Sequence, residues 1–119
     1  MPDACALLSS EELTSILGAD PGTAVDESFD PEHRRICTYT SGLILAVEVA
    51  EKLAGRRLVR AHRQPVHRSR RVGEEAHWQD IGGGMSQLVA LGREYFVALT
   101  VNGDQETAER LGEAMLAAL

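Results

Sequence analysis

The chain has 119 residues, the size of one ordinary domain, and is 44% hydrophobic but only 4% aromatic, so Leu, Val, Ile and Ala must fill its core. No apolar run approaches the roughly 20 residues that a membrane-spanning helix needs. Net charge is −6, yet Arg56, Arg57, Arg60, Arg63, Arg68, Arg70 and Arg71 put +7 into residues 56–71, leaving −13 on the rest. That acidic remainder repels phosphate and argues against non-specific nucleic-acid binding, while the basic stretch can still receive one anion or one acidic partner.

Read in chain order, Ser9-Ser10-Glu11-Glu12 has the spacing of a capping box, in which each end satisfies the other's free amide. Leu13, Ile16 and Leu17 follow at helical spacing, and Gly18 suits a left-handed cap. A helix over 10–17 is predicted. Residues 19–34 are polar; Pro21-Gly22 marks a turn, and a short strand over 23–29 is compatible with the pattern. Strands over 35–40 and 43–49 are predicted, joined as a hairpin at Ser41-Gly42. Strict alternation puts Leu43, Leu45, Val47 and Val49 on one face and Ile44 and Ala46 on the other.

Ala54, Leu58 and Ala61 predict a middle helix over 51–62, weakened by about 1 kcal/mol at Gly55 and ended before Pro65. Residues 67–72 read as extended, followed by a short segment around Trp78 and a turn at Gly82-Gly83-Gly84. A second hairpin is predicted from strands over 85–91 and 94–101 across Gly92-Arg93. Both faces of its second strand are rich in apolar residues, so both should be covered. Asp104 caps a last helix whose buried stripe is Ala108, Leu111, Met115 and Ala118. The sum is a single α+β domain over 1–119, a mainly antiparallel sheet with helices packed on it.

The residues offer little chemistry. Cys5 and Cys37 stand at the edges of apolar segments. Bonded, they tie the first helix to the sheet and imply an oxidising compartment; unbonded, they are two small buried thiols. They lack the Cys-x-x-Cys spacing of a redox pair. His33, His62, His67 and His77 form no metal-ligand set, so neither a metal nor a cofactor is expected. The triple glycine lacks the Gly-Lys-Ser/Thr ending of a phosphate loop, and there is no Gly-x-Ser-x-Gly. The Arg-rich stretch reads either as a solvated helix face or as an anion site, with Arg56, Arg60 and Arg63 lining one side and Arg57 beside them. Its lack of aromatic residues weakens a single-stranded nucleic-acid reading. Trp78, in the polar setting His77-Trp78-Gln79-Asp80, reads either as a core plug or as an anchor at a binding surface.

The order of these motifs resembles a family catalogued as domain of unknown function 3558, whose members are largely actinobacterial cell-envelope proteins, many of them lipoproteins. The resemblance rests on Asp3-Ala4-Cys5-Ala6-Leu7-Leu8-Ser9-Ser10-Glu11-Glu12-Leu13 with Leu17-Gly18, on Cys37-Thr38-Tyr39, on Gly73-Glu74-Glu75-Ala76, and on the closing hairpin and helix. It implies an α/β sandwich similar to the photosystem-II extrinsic P-type proteins, a Cys5–Cys37 bridge, an extracytoplasmic location and no established catalytic activity. Met1-Pro2-Asp3 lacks the basic start and apolar stretch of a signal peptide, so the chain is expected to be cytosolic if Met1 is the native start, or else a mature domain. The expected function is non-enzymatic binding of a protein or small ligand, with Arg57, Arg60, Arg63 and Trp78 as candidate contacts. The alternative is a module that binds an anion or lipid headgroup through residues 56–71.

Overall fold

The structure, a computed structural model, describes residues 1–53, 67–68 and 72–119. Helix α1 spans Ser10–Leu17. The Ser9 hydroxyl accepts from the Glu12 amide at 3.1 Å, the Glu12 carboxylate accepts from the Ser9 amide, and Gly18 closes the helix at φ 79°. Strands β1 (Ala24–Asp26), β2 (Arg34–Tyr39) and β3 (Ile44–Glu51) follow. Then come β4 (His67–Arg68), β5 (Glu75–Gly82), β6 (Met85–Leu91) and β7 (Tyr95–Asn102). Helix α2 (Gln105–Ala118) closes the chain, with the Asp104 carboxylate accepting from the Thr107 amide at 2.9 Å.

The strands form one seven-stranded sheet in the order β1-β2-β3-β7-β6-β5-β4, with every pairing antiparallel. The chain leaves the middle of the sheet at the end of β3 and re-enters it at the far edge as β4. It then returns strand by strand until β7 lies against β3. An α+β class with an antiparallel sheet is therefore what the sequence reading anticipated.

Both helices lie on one face. Leu13 from α1 and Ala108, Leu111 and Met115 from α2 join Val47, Val49, Leu88, Val97, Leu99 and Val101 in one core. Gly112 lets α2 settle on β6, because a Cβ there would run into the Leu88 side chain. The opposite face carries a second buried cluster of Ala50, Val89, Leu91 and Phe96. Two covered faces are what the doubly apolar pattern of β7 called for.

Several boundaries differ from expectation. Glu51 belongs to β3, pairing with Tyr95; the expected middle helix is seen from Lys52 and Leu53, and its remainder, from residue 54, lies outside the described residues. The pairing of β3 with β7 slips between Ile44 and Ala46. That irregularity turns Ile44 into the core and leaves Leu45 50% exposed, reversing the alternation predicted for the start of the strand. The segment around Trp78 is a full strand, β5, whose polar residues hid its period. Ala118 is exposed, and Leu116 and Leu119 pack against the core in its place at the end of α2. Gly73 stands at φ 64° where a Cβ would collide with the Leu91 carbonyl oxygen, which accepts from the Glu74 amide at 2.8 Å. Those two constraints account for glycine in Gly73-Glu74-Glu75-Ala76.

Candidate functional site

Cys5 and Cys37 form a disulfide with their Cα atoms 5.2 Å apart. Cys37 is fully buried on the helix-covered face of β2. Beside it, Arg35 reaches Asp26 of β1 at 2.7 Å and Asp3 at 3.3 Å. One disulfide and two ion pairs therefore hold the N-terminal segment and the edge strand to β2. Asp26 is held below the usual carboxylate range by its hydrogen bonds to Ser28, with Arg35 adding to the effect. Tyr39 on the same strand is pushed up by burial and by the charge of Asp3.

The other face of β2 and β3 carries an open cavity of about 400 Å³. Register places its floor: Arg34 pairs with Ala50 and Ile36 with Glu48, so all four side chains stand on one face. Glu51 adds the end of β3, and the turn before β2 supplies Phe29, Asp30 and His33. That turn follows from Asp30-Pro31: proline fixes the second position, and the Asp30 carbonyl accepts from the His33 amide at 3.1 Å and the Arg34 amide at 2.9 Å. The Ser28 hydroxyl, accepting from the Ile36 amide at 2.9 Å, pins the approach to the turn. Phe29 is left 95% exposed at the rim.

The charges are ordered. Arg34 and Glu48 make a close ion pair on the floor. His33 stands between two carboxylates, with Nδ1 3.1 Å from Asp30 and Nε2 3.9 Å from Glu51. The hydrogen bond to Asp30 raises its pKa above the ordinary 6.5, helped by the charges of Asp30, Glu51 and Glu32. The arrangement offers an apolar surface from Phe29, Ile36 and Ala50 edged by acid groups. A smaller cavity of about 230 Å³ lies between the β6–β7 turn and the end of α2, lined by Tyr95, Leu116 and Leu119 among others.

Of the residues singled out in the sequence, the cysteines come together as a bridge. Arg57, Arg60 and Arg63 lie outside the described residues. Trp78 is half-buried in β5 opposite Leu88, packed on the helix-covered core, so it stands on the face away from the larger cavity. The sequence does not mark Phe29 and His33 as a site: residues 19–34 read as polar, with a turn at Pro21-Gly22 and a short strand over 23–29, of which β1 is the realised part. The signal was there: Phe29 is one of only two phenylalanines, and it is placed among carboxylates. No helix among the described residues is long and apolar enough to cross a membrane. No protein-family model, curated protein or solved structure matches the chain.

Proposed function

We propose that this chain is a non-enzymatic binding domain of the cell envelope, stapled by its disulfide, that receives its ligand in the cavity over β2 and β3. The observation that carries the reading is the cavity itself, about 400 Å³ with Phe29 exposed at its rim, over strands that the disulfide and Arg35 tie to the N-terminal segment and β1. Sites of this size with an apolar wall and a few placed charges are the usual form of small-ligand sites. A large exposed aromatic next to such a wall supports binding, since nothing in the fold of the described residues requires it there. The extracytoplasmic location is supported by the bridge, because disulfides persist in oxidising compartments. Kinship with the domain of unknown function 3558 family, and a sandwich similar to the photosystem-II extrinsic P-type proteins, are supported by the ordered motifs of the sequence.

The test is a fragment screen read by amide chemical shifts on the oxidised protein. Hits are expected to move the amides of residues 29–36 and 48–51, and Phe29→Ala should weaken them about tenfold, as loss of a buried aromatic contact does. Hits that map elsewhere, or that bind the Phe29→Ala protein equally well, overturn the assignment.

The basic stretch supports a second reading, binding of an anionic headgroup, because no Asp or Glu interrupts it between Lys52 and Glu74. It predicts retention on vesicles containing anionic lipid at low salt and release at high salt. Reversal of Arg57, Arg60 and Arg63 should abolish that retention.

A further inference from the structure

The larger cavity has a chemistry of its own, and the inference drawn from it rests on the binding reading above. Among the described residues its lining holds three carboxylates, Asp30, Glu48 and Glu51, against one guanidinium, Arg34. Arg34 is already committed to Glu48. Among the described residues, Asp30 and Glu51, exposed by 63% and 53%, have no cation other than the His33 ring against them. Next to that acidic edge lies the apolar surface of Phe29, Ile36 and Ala50. We propose that the cavity takes a small amine-bearing amphiphile, its aromatic or branched-alkyl body on Phe29, Ile36 and Ala50 and its ammonium group on the exposed oxygens of Asp30 and Glu51, beside the His33 ring.

Each part of the ligand answers a part of the site. An anionic ligand is repelled by the two carboxylates, and a neutral one gains no charge pairing from them. An ammonium donates to both. A wholly polar cation forfeits the apolar surface, which supplies most of the affinity in such sites.

His33 makes the site selective for pH. Protonated, it donates to Asp30 and lies near Glu51, occupying the charges the amine needs. Neutral, it no longer sets a positive charge against them. The charged groups that bear on it are Asp30, Glu32 and Glu51, and Arg34 lines the same cavity. All three carboxylates raise its pKa, so amine affinity should climb as pH rises through a value above the ordinary 6.5. The ligand ammonium, with a pKa near that of lysine, stays charged over this range.

The experiment compares three probes of one shape on the oxidised chain: 2-phenylethylamine, 2-phenylethanol and phenylacetate, titrated with amide shifts as the readout. The amine should bind about fivefold more tightly than the alcohol, the sum of two half-exposed ion pairs. It should move the amides of Phe29, Ile36 and Ala50, while phenylacetate binds least. Asp30→Asn with Glu51→Gln should erase the preference for the amine without weakening the alcohol. Between about pH 5.5 and about pH 8.5 the amine should gain affinity, and His33→Gln should hold it at the high-pH value throughout. Equal binding of amine and alcohol at these amides overturns the cationic assignment and leaves the cavity as a binding site. Tighter binding of phenylacetate overturns it in the same way. No shift at these amides with any probe overturns the proposal together with the reading it rests on.

Discussion

Arg35 and the Cys5–Cys37 bridge act on the same few residues, but their contributions differ in kind. The bridge spans 32 positions of sequence, and closing a loop of that length limits the unfolded chain by about 3–4 kcal/mol on the chain-entropy model. Arg35 contributes through partly exposed ion pairs, whose usual worth is about 0.2–1 kcal/mol. The double variant Cys5→Ala, Cys37→Ala should therefore lose about 3–4 kcal/mol in denaturant unfolding, and Arg35→Ala much less. His33 gives a second prediction at this scale. Its folded pKa is raised, so the stability its pairing contributes is fully present below the ordinary value of 6.5 and is lost as pH rises through the folded pKa. A ring-proton titration should place His33 above 6.5, and Asp30→Asn should bring it back down. Cysteines announce themselves in any sequence, which is why this site was legible. Phe29 and His33 were not, because their neighbours Ile36, Ala50 and Glu51 reach them only through strand pairing.

Elements were legible where their signals were local. The capping box at Ser9 and Glu12 and the cap at Gly18 fixed both ends of α1, and Asp104 fixed the start of α2. Ser9→Ala should cost about 1 kcal/mol, measured by denaturant unfolding, since the Glu12 amide loses its acceptor. Gly112 tests the opposite case, in which packing overrides propensity. Alanine favours a helix by about 1 kcal/mol over glycine. Yet the added methyl would meet the Leu88 side chain and come within 3.2 Å of Val72. Gly112→Ala should thus destabilise, by about 1–3 kcal/mol, against the sign that helix propensity predicts. The strands were less legible. β3 runs on to Glu51 because Tyr95 pairs with it from far along the chain, and its slip at Leu45 answers to β7. β5 reads as polar because Gln79 and Asp80 interrupt its apolar alternation, while Ala76 and Trp78 alone mark its inner face.

At the scale of the whole molecule, the sheet order separates a core from a margin. β3, β7 and β6 each have a hydrogen-bonded strand on both sides, whereas β1 is a three-residue edge strand, exposed throughout. The segment before α1 takes no part in the sheet. It is held by Ala4 and Leu8 in the core, by the pairing of Asp3 with Arg35, and by the disulfide. α1 adds Leu13 and packs against α2. Local opening is cheapest where few buried contacts must break, so the N-terminal segment, α1 and β1 form the natural first unit to open once the bridge is cut. Hydrogen exchange on the oxidised and reduced protein under native conditions measures this directly. Reduction should speed exchange in residues 1–18 and 24–26 by about tenfold or more, while the amides of β3, β6 and β7 change far less. The Phe29–His33 turn stands between these units, joined to β2 through Ser28 and the amide of Glu27. If the bridge keeps the cavity in shape, reduction should also weaken any ligand bound there, in step with faster exchange at β1. A uniform rise over the whole sheet would instead make the disulfide a support of global stability alone, with no particular hold on the edge where the cavity lies.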